Sequence, residues 1–313
     1  MRSVFLLTTL TMLAACSEGP QFSHTSSLYQ ATRGVALTDL GDARVGMSGT
    51  TCDVDPDYGN IGSDYNFPGN DDFVHDVDRG KMVITSDDGV HVVDNGSMSF
   101  GGRDDFLLPA GEYTDAVAID DGAVVLAETA SGCQVHWAGV ADTSAALKPE
   151  VCGAGTALAA DPVTGEAWVA SPAGVYTGTP DGGSWDSAVD VASDMIVFDS
   201  ETEFMYTALS TEGIVRAFDL GGLEVWASEP LGQITDLEAF GDRAQVLVSV
   251  IEADGSGRLF VLDGYTGLVV SEMGTPDAAQ RISASEGGNR IALMRSNDVH
   301  FYEVWTLASL LTD

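Results

Sequence analysis

The sequence predicts an all-β fold: a β-propeller of four-stranded antiparallel sheets, with seven blades, or six as the alternative. Three observations carry this expectation. Six segments repeat one order (short apolar strand, turn, stronger strand, Gly turn, third strand) at a spacing of roughly 40 residues, a period typical of propeller blades. They begin at Phe73, Asp115, Ala157, Asp194, Ile234 and Arg281. The strand runs, such as Met82-Val83-Ile84, Val246-Leu247-Val248 and Leu259-Phe260-Val261-Leu262, are β-branched or aromatic and are bounded by Gly and Asp turns. No stretch before the C-terminus carries helical periodicity over a useful length. One four-stranded sheet cannot bury both apolar faces alone. Stacked face to face in a ring, each sheet covers its neighbours and no terminal face is left bare.

The chain opens with "MRSVFLLTTLTMLAAC". Arg2 precedes an apolar run of roughly ten residues, a length that suits a signal-peptide core and is too short to span a bilayer. Leu13-Ala14-Ala15-Cys16 resembles the bacterial lipobox. The resemblance implies that residues 1–15 are a lipoprotein signal peptide removed before Cys16, and that Cys16 carries the lipid anchor. Several acyl chains anchor stably where one is marginal. In Gram-negative lipoproteins an Asp after the Cys retains the protein at the inner membrane. Ser17 stands there instead, which implies the outer membrane. Residues 16–33 are polar, rich in Ser and Thr and without apolar periodicity. They read as the lipidated Cys and a flexible tether, leaving 34–313 for the propeller. Between Gly34 and Asn70, "GVALTDL" and "ARVGMSG" supply either a further blade or a strand that completes the last one. The ending "VWTLASLLTD" reads as a closing strand or a short helix.

Composition excludes one class of partner. Asp and Glu number 48 against 13 Lys and Arg, a formal net charge of −35. Such a surface repels phosphate backbones, so no nucleic acid is expected, and anionic lipid headgroups are disfavoured. It suits a solvated acidic coat and attracts divalent cations.

"GRLFVLDGYTG", from Gly257, reads as the third strand of a blade and the turn after it. Asp263 accepts local N–H bonds and Gly267 takes positive φ. "GIVRAFDLGGLEVW", from Gly213, repeats the scheme, and "GVHVVDNG" is a shorter echo. This Gly–strand–Asp–x–x–Thr–Gly pattern resembles the PQQ-like repeat and overlaps with WD40-like propellers. Quinone dehydrogenases with that repeat carry a vicinal disulfide, whereas no two cysteines are adjacent here. The repeat family also includes a lipid-anchored, non-enzymatic propeller of outer-membrane barrel assembly, which implies a scaffold role. "GVYTGTPDGGSW" resembles the Asp-box of sialidase-type propellers through Thr179, Asp181, Gly182, Gly183 and Trp185, one residue short before the Trp. In that family the box is a structural turn.

Within "DVDPDYGNIGSD", Asp53, Asp55, Asp57 and Asp64 fall at positions one, three, five and twelve, the oxygen-ligand positions of a calcium loop. Tyr58, however, stands where the sharp-turn Gly belongs. Ca²⁺ is therefore the one candidate cofactor. Beyond Cys16 the chain has Cys52, Cys133 and Cys152. Cys133 and Cys152 flank one expected hairpin and are paired in this reading, while connectivity involving Cys52 stays open. His24, His75, His91, His136 and His300 are scattered, though His75 and His91 fall in one expected blade. No HExxH, Walker loop or GxSxG is present, and no catalytic residue is assigned. The function expected is a lipid-anchored envelope propeller that binds a protein or glycan partner without catalysis. The alternatives are a propeller hydrolase or lyase with a metal in the central channel, and a calcium-binding cell-surface protein.

Overall fold

Gln245–Ile251 is apolar at consecutive positions because it is buried on both faces. Val246, Val248 and Val250 pack with Tyr206, Val215 and Trp226 on one side. Leu247 packs with Ile282, Ile291 and Leu293 on the other. A sheet with two such faces needs two neighbouring sheets, and each buried Val or Leu contributes about 1.5–3 kcal/mol relative to exposure.

The computed structural model describes the backbone of strands between Pro20 and Val304 and nearly every residue from Glu112 onward; side chains are described chiefly over that latter part. The strands form seven four-stranded antiparallel sheets. In chain order, their first strands are Thr32–Leu37, Phe73–Asp78, Glu112–Ile119, Ala157–Ala160, Met195–Asp199, Gln233–Ala239 and Arg281–Ala284. These first strands are the inner ones. Each lies beside the inner strand of the next sheet, and Arg281–Ala284 lies beside Thr32–Leu37, so the succession closes. A buried bond from Leu37 N to Ser283 Oγ, 2.9 Å, crosses that last junction. The apolar clusters sit between consecutive sheets. Val83 and Val90 of the second meet Ala116 and Val125 of the third, and Trp168 of the fourth meets Ile196, Met205 and Phe218 of the fifth. Side-chain packing is thus described for the five sheets from the third to the seventh and for the second where it meets the third.

Closure corrects the reading of residues 16–33 as a tether. Pro20–Ser27 is a strand, the outermost of the seventh sheet, paired antiparallel with Asp298–Val304. Thr32–Leu37 opens a separate first sheet with Ala43–Met47, Thr50–Val54 and Ile61–Tyr65, rather than completing the last one. The physical reason is that the last repeat supplies only three strands, and its exposed edge takes its fourth from the start of the chain. Pro20 is tolerated as the first residue of an edge strand. The signal segment, Cys16, and residues 305–313 lie outside the described residues.

Two kinds of connection define two ends of the ring. First-to-second and third-to-fourth strand turns gather at one end, called here the turn end. Phe204, after a first-to-second turn, pairs with Asp219, which opens a third-to-fourth turn. Between neighbouring sheets, Asp120 N donates to Pro162 O across two such turns. Second-to-third turns, such as Glu252–Ser256, lie at the opposite end. In the seventh sheet Pro20 pairs with Val304, and Ser27 pairs with Asp298. Arg290, which follows the first-to-second turn, pairs with Glu303. Pro20 therefore stands at the turn end.

Candidate functional site

The turns of the Asp–x–x–Thr–Gly pattern are structural, as the sequence reading expects of "GRLFVLDGYTG". Asp263 Oδ1 accepts from Thr266 N at 2.9 Å and Thr266 Oγ1 at 2.7 Å, and Gly267 has φ +70°. Asp161-Pro-Val-Thr-Gly165 repeats the device at a first-to-second turn, with Thr164 Oγ1 donating to Asp161 at 2.7 Å and Gly165 at φ +67°. Asp199 and Thr202 do the same, but Glu203 occupies the positive-φ place, at 57°. Burial raises the Asp199 carboxyl above its ordinary range.

These turns dock on the preceding sheet through tryptophans. Trp226 Nε1 donates to Gly264 O at 2.7 Å, and a Cβ on Gly267 would stand 2.4 Å from its ring. Trp137 Nε1 donates to Gly165 O at 2.7 Å. Trp185, at the Asp-box-like turn, is buried and stacks on Trp137 with centroids 5.8 Å apart. Gly182 and Gly183 lie outside the described residues.

Among the described residues, charge from three sheets converges on the inner strands. Asp115 on the third inner strand, Asp236 on the sixth and Arg281 on the seventh all stand toward the end opposite the turns. Asp115 and Asp236 each follow a register shift, after Tyr113 and Ile234. The shift aims each carboxylate at the next sheet. Asp115 Oδ2 accepts from Leu158 N at 2.8 Å, and Asp236 Oδ2 accepts from Ile282 N at 2.5 Å. Asp236 Oδ1 also faces Arg281 Nη1 at 3.6 Å, and the Arg281 side chain is 61% exposed. Burial pushes the Asp236 carboxyl up to about 6, against the opposing pull of Arg281 and its backbone donors; the Asp115 charge adds to the rise. Asp236, followed by Asp115 and Glu238, holds the Arg281 guanidinium more firmly protonated. Asp194, just before the fifth inner strand, accepts from Ser210 N at 2.8 Å and from Ser210 Oγ at 2.5 Å.

In the sequence two repeats begin at Asp115 and Ile234, and neither Asp115 nor Asp236 has an assigned role there. The signal was available: "YTDA" and "ITDL" repeat apolar-Thr-Asp-apolar at one repeat position. The other candidates divide. Asp53 and Asp64 lie on the paired strands Thr50–Val54 and Ile61–Tyr65, with Asp64 opposite Cys52. Asp55 and Asp57 lie outside the described residues. Cys133 is disulfide-bonded, and Cys152 lies outside the described residues. His75 and His91 share the second sheet but sit on its first and third strands, with Lys81–Ser86 between them. His136 is buried, which lowers its pKa, and its Nε2 has no partner. Among the described residues no three His, Cys, Asp or Glu side chains group closely enough to hold a metal ion, and no helix is long and apolar enough to cross a membrane.

No family model matches the sequence, and no curated protein matches it. Solved structures do. A chain of the mitotic checkpoint complex aligns over 92% of this chain and 93% of its own at 10% identity, with a TM-score of 0.69. Virginiamycin B lyase from Staphylococcus aureus aligns over 92% of this chain and 100% of its own, also at 10% identity, with a TM-score of 0.67. The chain is a β-propeller. At these identities the likeness shows the WD40-like propeller fold and no function.

Proposed function

We propose that this chain is an exported, lipid-anchored β-propeller of the bacterial cell envelope, held at the outer membrane through Cys16, that binds a protein or glycan partner without catalysing a reaction. In this reading all seven sheets are blades of one ring, the PQQ-like repeats are scaffold, and Cys133 pairs with Cys152. One observation carries the binding role. The carboxylates that converge on the axis are spent on structure: Asp115, Asp194 and Asp236 each accept backbone N–H bonds, two of them from the next sheet. A general base needs a lone pair facing substrate. Here the exposed group is Arg281, suited to a carboxylate or to a sugar hydroxyl.

Crosslinking in the native envelope followed by mass spectrometry tests this proposal. A consistent complex, lost in Arg281→Ala, is the expected result. No complex, together with turnover of a small sugar or lactone by the purified chain, would replace it with the second reading: a propeller hydrolase or lyase with an axial metal, favoured by the likeness to a lyase propeller. A calcium role for Asp53, Asp55, Asp57 and Asp64 is removed if calorimetry on chelated protein shows no Ca²⁺ heat.

A further inference from the structure

The exposed large apolar side chains are not spread over the ring. Among the described residues all of them lie at the turn end or on the adjoining start of an outer strand. Leu220, Leu223 and Val225 surround the third-to-fourth turn of the fifth sheet. Tyr265, Leu268 and Val269 surround the same turn of the sixth. Leu223 and Leu268 are 70% and 69% exposed. The two groups are contiguous, because the sixth-sheet turn packs on Trp226, next to Val225, and Tyr265 meets Phe204 edge-on at 6.1 Å. Val163, at a first-to-second turn of the fourth sheet, is exposed at the same end.

We infer that this end is a membrane-docking face, whose Leu, Val and Tyr side chains seat in the interfacial layer of a zwitterionic bilayer. The inference rests on the lipid-anchor reading of Cys16. Two arguments select a bilayer as occupant. The chain leaves the seventh sheet at this same end: Pro20 pairs with Val304 there, in the sheet next to the sixth. Three residues separate Cys16 from Pro20, and the four chain steps between them reach at most about 14 Å. An anchor at Cys16 therefore holds this end, and not the opposite one, against the lipid. The apolar groups also stand on turn tips across three sheets rather than in a groove, and a lipid interface accepts such scattered projections without matching shape. Net charge of −35 directs the choice to zwitterionic rather than anionic lipid. Beside these side chains Glu224 is paired to Arg216 at 3.0 Å, while Glu201 and Glu203 stand exposed at the fifth sheet's other turn at this end.

The test uses the full chain purified from a bacterial membrane, its intact mass recorded, and reconstituted in phosphatidylcholine vesicles. Two variants carry an environment-sensitive fluorophore: Leu268→Cys at the turn end, and Ala253→Cys at the opposite end of the same sheet. The unsubstituted chain gives the native-cysteine background. The expected result is an acylated mass, strong quenching of the Leu268→Cys probe by lipid-borne spin labels, and none for Ala253→Cys. Leu223→Asp should cut that quenching several-fold. An acylated mass with both probes in water overturns the docking face and leaves the anchor standing. A probe shielded only in native membranes also overturns it, and indicates a membrane protein as occupant. A mass without acyl chains overturns the anchor and the docking face together.

Discussion

The two ends of the ring are built from the same repeat yet present opposite chemistry. At the turn end aspartates are locked into their own turns, as Asp263 is by Thr266, and the exposed large apolar side chains, Leu, Val and Tyr, gather there beside exposed acids such as Glu201 and Glu203. At the other end carboxylates cross from one sheet to the next, and the Arg281 side chain, paired with Asp236 and donating to Gln280 O, is 61% exposed. A chain-wide charge of −35 averages over this difference and hides it. The lesson is that a symmetric scaffold acquires direction through which turn positions are apolar, at no cost to the core that the sheets share.

Glycine substitutions should separate the ends most strongly. Gly267 at the turn end has φ +70°, and a Cβ there would meet the Trp226 ring at 2.4 Å. Gly255 at the other end has φ +88° with nothing within 4 Å. Gly267→Ala is expected to lose about 3–4 kcal/mol, from strain plus displacement of a buried ring. Gly255→Ala should lose about 1–2 kcal/mol, from backbone strain alone. Denaturant melts of the two variants measure the gap, and equal losses would deny that the turn end docks on its neighbour.

Next in size is pH dependence at the axial end. The Asp236 carboxyl has a folded pKa of about 6, above its ordinary value. The folded state therefore binds the proton more tightly than the unfolded state. Its favourable contribution is complete below the ordinary carboxylate range and is lost as pH rises toward 6. Asp236→Asn should flatten the fall in stability between about pH 4 and 6 while keeping an acceptor for Ile282 N. Melting curves across that window check it, and an unchanged slope would move the titration elsewhere. Trp226→Phe should cost about 0.5–1.5 kcal/mol, by removing the Nε1 bond to Gly264 O and leaving that carbonyl only the longer bond from Tyr206 OH at 3.3 Å; a denaturant melt checks it. Leu223→Ser should shift stability by no more than about 0.5 kcal/mol, since the side chain is exposed; a larger loss in a denaturant melt would mean that Leu223 belongs to the core.

The second strands were legible because burial on both faces writes continuous apolar runs, as in Gln245–Ile251, and the inner strands were placed from them by the repeat. The repeat starts read at Phe73, Ala157 and Arg281 coincide with inner-strand starts, and the reading at Asp115 fell inside Glu112–Ile119. Pro20–Ser27 was not legible. It is a polar outer strand whose ladder partner, Asp298–Val304, lies at the far end of the chain, so no local pattern announces it. The axial site was half-legible: "YTDA" and "ITDL" are visible as repeats, but the acceptor role of each Asp depends on a backbone N–H from the following sheet.

Electron cryomicroscopy of the acylated chain in a phosphatidylcholine nanodisc tests the polarity of the ring most directly. The account predicts the turns around Leu223 and Leu268 against the lipid and Arg281 facing solvent. A ring lying with Arg281 toward the bilayer, or held away from it at the length of a tether, would contradict the account.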